Sequence, residues 1–192
     1  MIEGEDSLYL EDTCQVYDGA VFDSHNFTKC SFSDCTFDGC SFRGAVFDSV
    51  VFTQSSISLS DFREAVFINC EFNDCRISGS YFMSSRFKGT KLNGCILSYA
   101  VFDEADFNAS SFVSCQLKQC SLDSLKCKKL SIVGSKLDGS SFRKTMLKDL
   151  DLKDSDISGI YLSESFIELK SASLDAAQAL DCARLLGVDI IS

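Results

Sequence analysis

The sequence predicts a single solenoid, a rod made by coiling one short unit many times, and three observations predict it. A large apolar residue recurs at every fifth position from Phe22 to Ile167, thirty places in all, and sixteen of the seventeen phenylalanines fall in this column. The position two residues earlier is Ala, Cys, Ser or Thr at 24 of the 30 places. Glycine, where it occurs within the repeat, sits two residues after the large one, as at Gly39, Gly79 and Gly94, where a type II turn needs positive φ.

A period of five fits neither one side of an α-helix nor the alternation of a strand. It suits a chain that turns a corner every few residues and sends one large and one small side chain inward from each side. Proline is absent from all 192 residues, as expected where every side pairs with the coils above and below and each N–H is needed. The frame never slips, so the sequence predicts one coiled, repetitive domain over residues 20–170, with no loop long enough to form a lid or a separate active site.

Residues 1–19 are predicted to be an N-terminal cap, because the open end of a coil exposes strand edges and bare core. Leu8 and Leu10 are its candidate plugs, and Tyr17 keeps the frame. The acidic start lacks the basic-then-apolar order of a signal peptide, and no apolar run approaches the length of a membrane span. A cytoplasmic protein with no membrane contact is predicted. His25 takes a small-residue place in the first coil and has no nucleophile pattern beside it, so it reads as a tolerated misfit.

Eight of the eleven cysteines occupy the small inward column, where Ser and Ala alternate with them. They read as buried reduced thiols, although Cys75, Cys95 and Cys115 would stack within disulfide reach. With one His and no paired CxxC spacing, the sequence offers no metal set and implies no cofactor.

Beyond Ile167 the period ends, and residues 171–192 read as a C-terminal helix followed by a short strand. Ser173 suits an N-cap, Asp175 the first turn and Gly187 the end, which predicts a helix over Leu174–Leu186. Ala176, Ala179, Leu180, Ala183 and Leu186 share one side of it, and Leu174 and Leu185 lie on the other. Two apolar sides predict a helix held between the last coil and a second body. Val188–Ile191 is predicted to be a strand available for pairing.

The unit (Ser, Cys or Ala, then any residue, then Phe and two more) resembles that of the pentapeptide-repeat proteins over about 150 of the 192 residues. The resemblance implies an all-β fold, a right-handed quadrilateral parallel β-helix with four units to a coil and a C-terminal capping and dimerisation helix. Thirty units would make about seven and a half coils, roughly 36 Å tall at ~4.8 Å per coil. Residues twenty apart would then stack, placing Glu71 beside Lys91, Arg86 beside Asp106 and Lys126, Lys118 beside Asp138, and Lys136 beside Asp156.

The tail LLGVDIIS resembles the C-terminal helix and strand of the Qnr and MfpA group of that family, which protects DNA gyrase and topoisomerase IV from quinolones. This implies a homodimer joined end to end, a rod that imitates duplex DNA. Its dimer contact would be Leu174, Ala176, Ala179, Leu180, Ala183, Leu185, Leu186, Val188, Ile190 and Ile191. Several members carry loops that interrupt the repeat; this chain is similar to the loop-free ones.

Charge bears on that implication. Residues 1–110 carry 17 acidic side chains against 7 basic, and residues 111–192 carry 11 of each. Duplex DNA holds one charge per ~1.7 Å, roughly 21 over 36 Å, so the tower has about half the charge of DNA for its length. The candidate partner-binding residues lie in the acidic half: Asp23, Asp38, Asp48, Asp61, Glu64, Glu71, Asp74, Asp103, Glu104 and Asp106. Lys126, Lys128, Lys129, Arg143, Lys144 and Lys148 form a basic group unlike DNA and read as a solvated or salt-laddered surface.

The function implied is a DNA mimic that binds gyrase or topoisomerase IV and protects it from quinolones or a gyrase-directed toxin, with no nucleic acid as partner. The alternative is a pentapeptide-repeat scaffold with another partner. No enzyme is predicted, since no nucleophile, base and oxyanion set is visible.

Overall fold

The computed structural model describes residues 11–190. Its strands are mostly three residues long, with only the central side chain pointing inward, which is what a five-residue unit with a corner leaves room for. Pairing is parallel and joins residues twenty apart. Face one is a six-stranded sheet in which Phe27, Phe47, Phe67, Phe87, Phe107 and Cys127 stand side by side. Face two is an eight-stranded sheet running from Glu11–Thr13 to Leu150–Asp151. Single bridges hold the other two: Ser56 with Arg76 on face three, and Asp61 with Tyr81 on face four. The result is a four-sided β-solenoid of about seven turns, as the repeat implies.

The pairing distance dictates the packing inside. Rings twenty residues apart lie nearly parallel, with Phe42 and Phe62 at 4.8 Å and 4° and Phe67 and Phe87 at 4.8 Å and 7°. Rings on adjoining faces meet edge to face, as Phe67 does with Phe72 at 5.8 Å and 66°. Both arrangements are favourable aromatic geometries. The small column fills the corners, and its hydroxyls do more than fit. The Ser60 hydroxyl accepts from the Cys40 N–H at 3.1 Å and donates to the Phe37 carbonyl at 2.7 Å, and Ser80 repeats this one coil on. Backbone groups left over at the corners are satisfied in this way.

The cysteines of this column are buried, and among the described residues no disulfide joins any pair. Hydrogen bonding to Cys95, then burial, pushes the Cys75 thiol far up, and burial pushes Cys70 up to about 11. A thiol held protonated is unreactive.

Every corner from residue 14 to residue 144 has positive φ, and glycine is only one way of supplying it. Asp34, Asn69 and Ser84 adopt φ of 55°, 52° and 57° at the equivalent place, and their short polar side chains tolerate this region. The sequence reading placed the glycines correctly and did not anticipate that bulkier residues would share the conformation.

Side chains close the last coil and bond to one another at the first described one. At the first described coil, pairing is already present ahead of Ala20, with Glu11–Thr13 on Ser31–Ser33, because backbone pairing needs no inward Phe. Asp12 stands in register with Phe32, and its carboxylate accepts from the Tyr17 hydroxyl at 2.6 Å. Burial and that bond push Tyr17 up to about 12. Leu8 and Leu10 lie outside the described residues.

At the last coil, face one stops early, because Leu147–Asp149 form a 3-10 turn instead of a strand. Lys126–Lys128 is therefore the edge of its sheet, and exposed Lys126, Lys128 and Lys129 flank that edge, a common guard against edge-to-edge pairing. The helix α1 spans Ala176–Leu185, not Leu174–Leu186: Asp175 is the N-cap, closing a capping box with Gln178, in place of the expected Ser173. It turns Gln178 and Cys182 inward, with Leu174 and Leu185 partly buried beside them. The Gln178 amide donates to the carbonyls of Leu152 at 2.7 Å and Ser155 at 2.9 Å. Glu168, fully buried, accepts from the Lys144 N–H at 2.7 Å and from the Ser163 hydroxyl. Gln178 thus supplies donors and Glu168 an acceptor where a further coil would have supplied its backbone. Val188–Ile190 forms no strand among the described residues, since in one copy no edge pairs with it; Ile191 lies outside them.

Phe67→Ala removes a fully buried ring between two stacked neighbours and is expected to cost about 3–5 kcal/mol through the cavity it leaves; an unchanged melting temperature would contradict the inward placement. Gln178→Ala leaves two carbonyls without donors and is expected to cost about 1–3 kcal/mol, with amide exchange rising first in the last coil. For Glu168, burial works to raise the carboxyl, but the bonds from Ser163 and Lys144 outweigh it and hold the group below its ordinary 4.5. A lowered folded value stabilises the protein above pH ~4.5, and that stability is lost as pH falls through it. Glu168→Gln should therefore flatten the fall in melting temperature between about pH 5 and pH 3; identical profiles for the two proteins would refute it.

Candidate partner-binding surface

The unit decides where each acidic side chain can stand. Positions just before and after the inward residue point outward from a face, and the next position sits on a corner. All ten predicted carboxylates accordingly reach solvent wholly or in part. The structure does not gather them on one side. Asp23, Asp61, Glu64, Asp103 and Glu104 share face four, while Asp48 and Asp106 stand on face one, Glu71 and Asp74 on face two, and Asp38 on face three.

Several of these carboxylates also hold the coil. The Asp23 carboxylate accepts from the Ser41 hydroxyl at 2.5 Å and the Arg43 N–H at 2.9 Å. Asp38 accepts from Ser56 and from the Ser58 N–H, both at 2.7 Å, and Asp103 from Ser121 at 2.5 Å. A carboxylate with a serine eighteen residues on is therefore a rung between coils, a pattern readable in the sequence once the twenty-residue stacking is known. These groups therefore belong to the surface and to the fold at once.

Of the expected opposite-charge ladders, two close. Glu71 pairs with Lys91 at 3.0 Å and Lys118 with Asp138 at 3.4 Å. Arg86, Asp106 and Lys126 are in register, as are Lys136 and Asp156, but among the described residues they form no ion pair within 4.0 Å. Exposed long side chains gain too little from pairing to fix one geometry. The sequence reading missed Arg63, which forks onto Asp61 from within the same unit at 2.5 Å. Its hydrogen bond, outweighing burial, holds the Asp61 carboxyl below the usual range, so that charge on face four is partly neutralised.

At the C-terminal end the side of α1 turned from the tower is apolar and open. Ala176 and Ala179 are exposed, Ala183 is half-buried, and Leu180 and Leu186 are 43% and 52% exposed. Val188 and Ile190 continue this surface. Leu174 and Leu185, expected in the dimer contact, instead pack against the core. Among the described residues no group of His, Cys, Asp or Glu is placed to hold a metal, and no helix is long and apolar enough to cross a membrane. His25 bonds the Asp23 carbonyl at 3.0 Å.

Comparison with known proteins agrees with this geometry. The sequence pattern of a pentapeptide repeat region matches residues 25–102, and that of pentapeptide repeats in eight copies matches residues 85–123. Together they span residues 25–123, just over half of the 192. Full-length QnrB1, described as a plasmid-mediated fluoroquinolone resistance protein, is similar in fold with a TM-score of 0.53, at 19% identity over 93% of this chain and 100% of that one. A trypsin-treated variant of the same protein gives 0.53 at 19% identity, over 95% and 100%. No protein of curated function matches the chain in sequence.

Proposed function

The chain belongs to the pentapeptide-repeat family, and from that premise we propose that it is a non-enzymatic, cytoplasmic interaction protein that binds a type II topoisomerase, DNA gyrase or topoisomerase IV, in place of duplex DNA. The observation that carries the reading is a tower uninterrupted by loops among the described residues, whose excess acid lies entirely in residues 1–110, five of its candidate carboxylates sharing face four. A basic saddle that accepts DNA would accept such a rod, and the opposed ends of a dimer would extend it. The open side of α1 supports end-to-end dimerisation: an exposed apolar helix surface beside an exposed apolar tail is covered when two copies meet. Similarity of fold to a fluoroquinolone resistance protein supports quinolone protection as the outcome.

A second reading, a scaffold with another partner, is favoured by one observation. Asp23, Asp38 and Asp103 each bond the next coil, so part of the acid has a structural use that needs no partner.

A supercoiling assay separates the two. With gyrase inhibited by ciprofloxacin, micromolar protein is expected to restore supercoiling, and neutralising Glu64 and Glu104 is expected to weaken that rescue. Inhibition without rescue would retain DNA mimicry and remove protection; no binding to gyrase at all would leave the scaffold reading.

A further inference from the structure

Face three carries a corner unlike the others. Of the eight stacked positions from residue 19 to residue 159 in steps of twenty, five are glycine, and the exceptions are Leu59, Tyr99 and Gln119. Leu59 has φ 57° and Tyr99 φ 65°, a conformation that crowds the Cβ of any residue but glycine. Neither side chain offsets this by burial: Leu59 is 72% exposed and Tyr99 62%. The corner itself needs positive φ, but the fold gives no reason to fill it with an exposed Leu or Tyr in a column that is otherwise mostly glycine.

Gly79 lies between them and leaves a step; a Cβ there would stand 2.9 Å from Leu59 Cδ2, the tip of an exposed side chain that could swing aside. The three residues, with Ser58 and Ser78, bound a notch of about 510 Å³. Two charges sit at its rim, Asp38 and Arg76. One Asp38 oxygen already accepts from Ser56 and Ser58. Arg76 is exposed and, among the described residues, makes no ion pair. Tyr and Arg beside a desolvating apolar wall are the residue types that anchor protein interfaces.

We propose that this notch docks a segment of the protein partner that presents one large apolar side chain with a carboxylate beside it. The apolar side chain enters at the step over Gly79, against Leu59 and Tyr99, and the carboxylate pairs with Arg76. The inference rests on the topoisomerase reading for the identity of the partner. It adds a contact on the face adjoining the acidic one, so that the rod is held at one rotational setting as well as by charge.

Leu59→Gly combined with Tyr99→Gly restores the residue this corner prefers. The melting temperature of that double variant is expected to equal or exceed the wild type's, while its affinity for purified gyrase, measured by surface plasmon resonance, falls by about tenfold or more. Arg76→Glu is expected to weaken binding as well. Equal affinity of the double variant and the wild type overturns the notch and leaves the topoisomerase reading standing. Wild-type protein that does not bind gyrase overturns that reading and this docking partner with it. A lowered melting temperature in the double variant overturns the premise that the corner is strained.

Discussion

Parallel backbone pairing at an offset of twenty residues is the constraint from which the rest follows. It fixes the rise between coils near the ~4.8 Å of any β-sheet, and every inward side chain must then stack on the one twenty residues away at that distance, ring on ring for most of the first five coils and with an aliphatic partner elsewhere, as with Phe72 and Leu92. Phenyl rings meet the requirement well, since flat rings at 4.8 Å remain in contact without sliding into the adjoining face. This is why sixteen of seventeen phenylalanines are confined to one column. The same offset explains the serines, because a hydroxyl one coil away is the nearest group able to satisfy the corner N–H and carbonyl at once.

A solenoid built on such pairing has an end problem. Each coil leaves its donors and acceptors for the next, and the last coil has none to meet them. Here the solution is chemical imitation: a glutamine amide supplies N–H groups to Leu152 and Ser155, and a buried glutamate supplies an acceptor to Lys144. At the first described coil the Tyr17 hydroxyl donates to the Asp12 carboxylate. Where a strand edge is left open, at Lys126–Lys128, lysines flank it.

Function on this scaffold is a matter of what the outward positions carry. The rod shows two kinds of surface: charge distributed along its faces, densest in candidate carboxylates on face four, and an apolar, strained notch on face three. Charge acts at a distance and sets encounter rate and orientation, whereas a notch acts only in contact and selects a shape. The role proposed above, taking the place of a long, uniform polyanion at one setting, would use both.

The sequence by itself determined the fold, the inward columns, the position of the glycine corners and the presence of a C-terminal helix with two apolar sides, because a five-residue period is a local property that every unit restates. It also placed the excess acid in one half of the chain. What it left open depends on neighbours twenty or more residues away. Only the tertiary structure decided that Asp175 and not Ser173 caps the helix, since that choice turns on Gln178 reaching Leu152 and Ser155. It alone divided the carboxylates among four faces, showed which of them also hold the coil, and left Leu59 and Tyr99 exposed on either side of Gly79. A period states what each unit must put inside; the surface is set by which units the coil brings side by side.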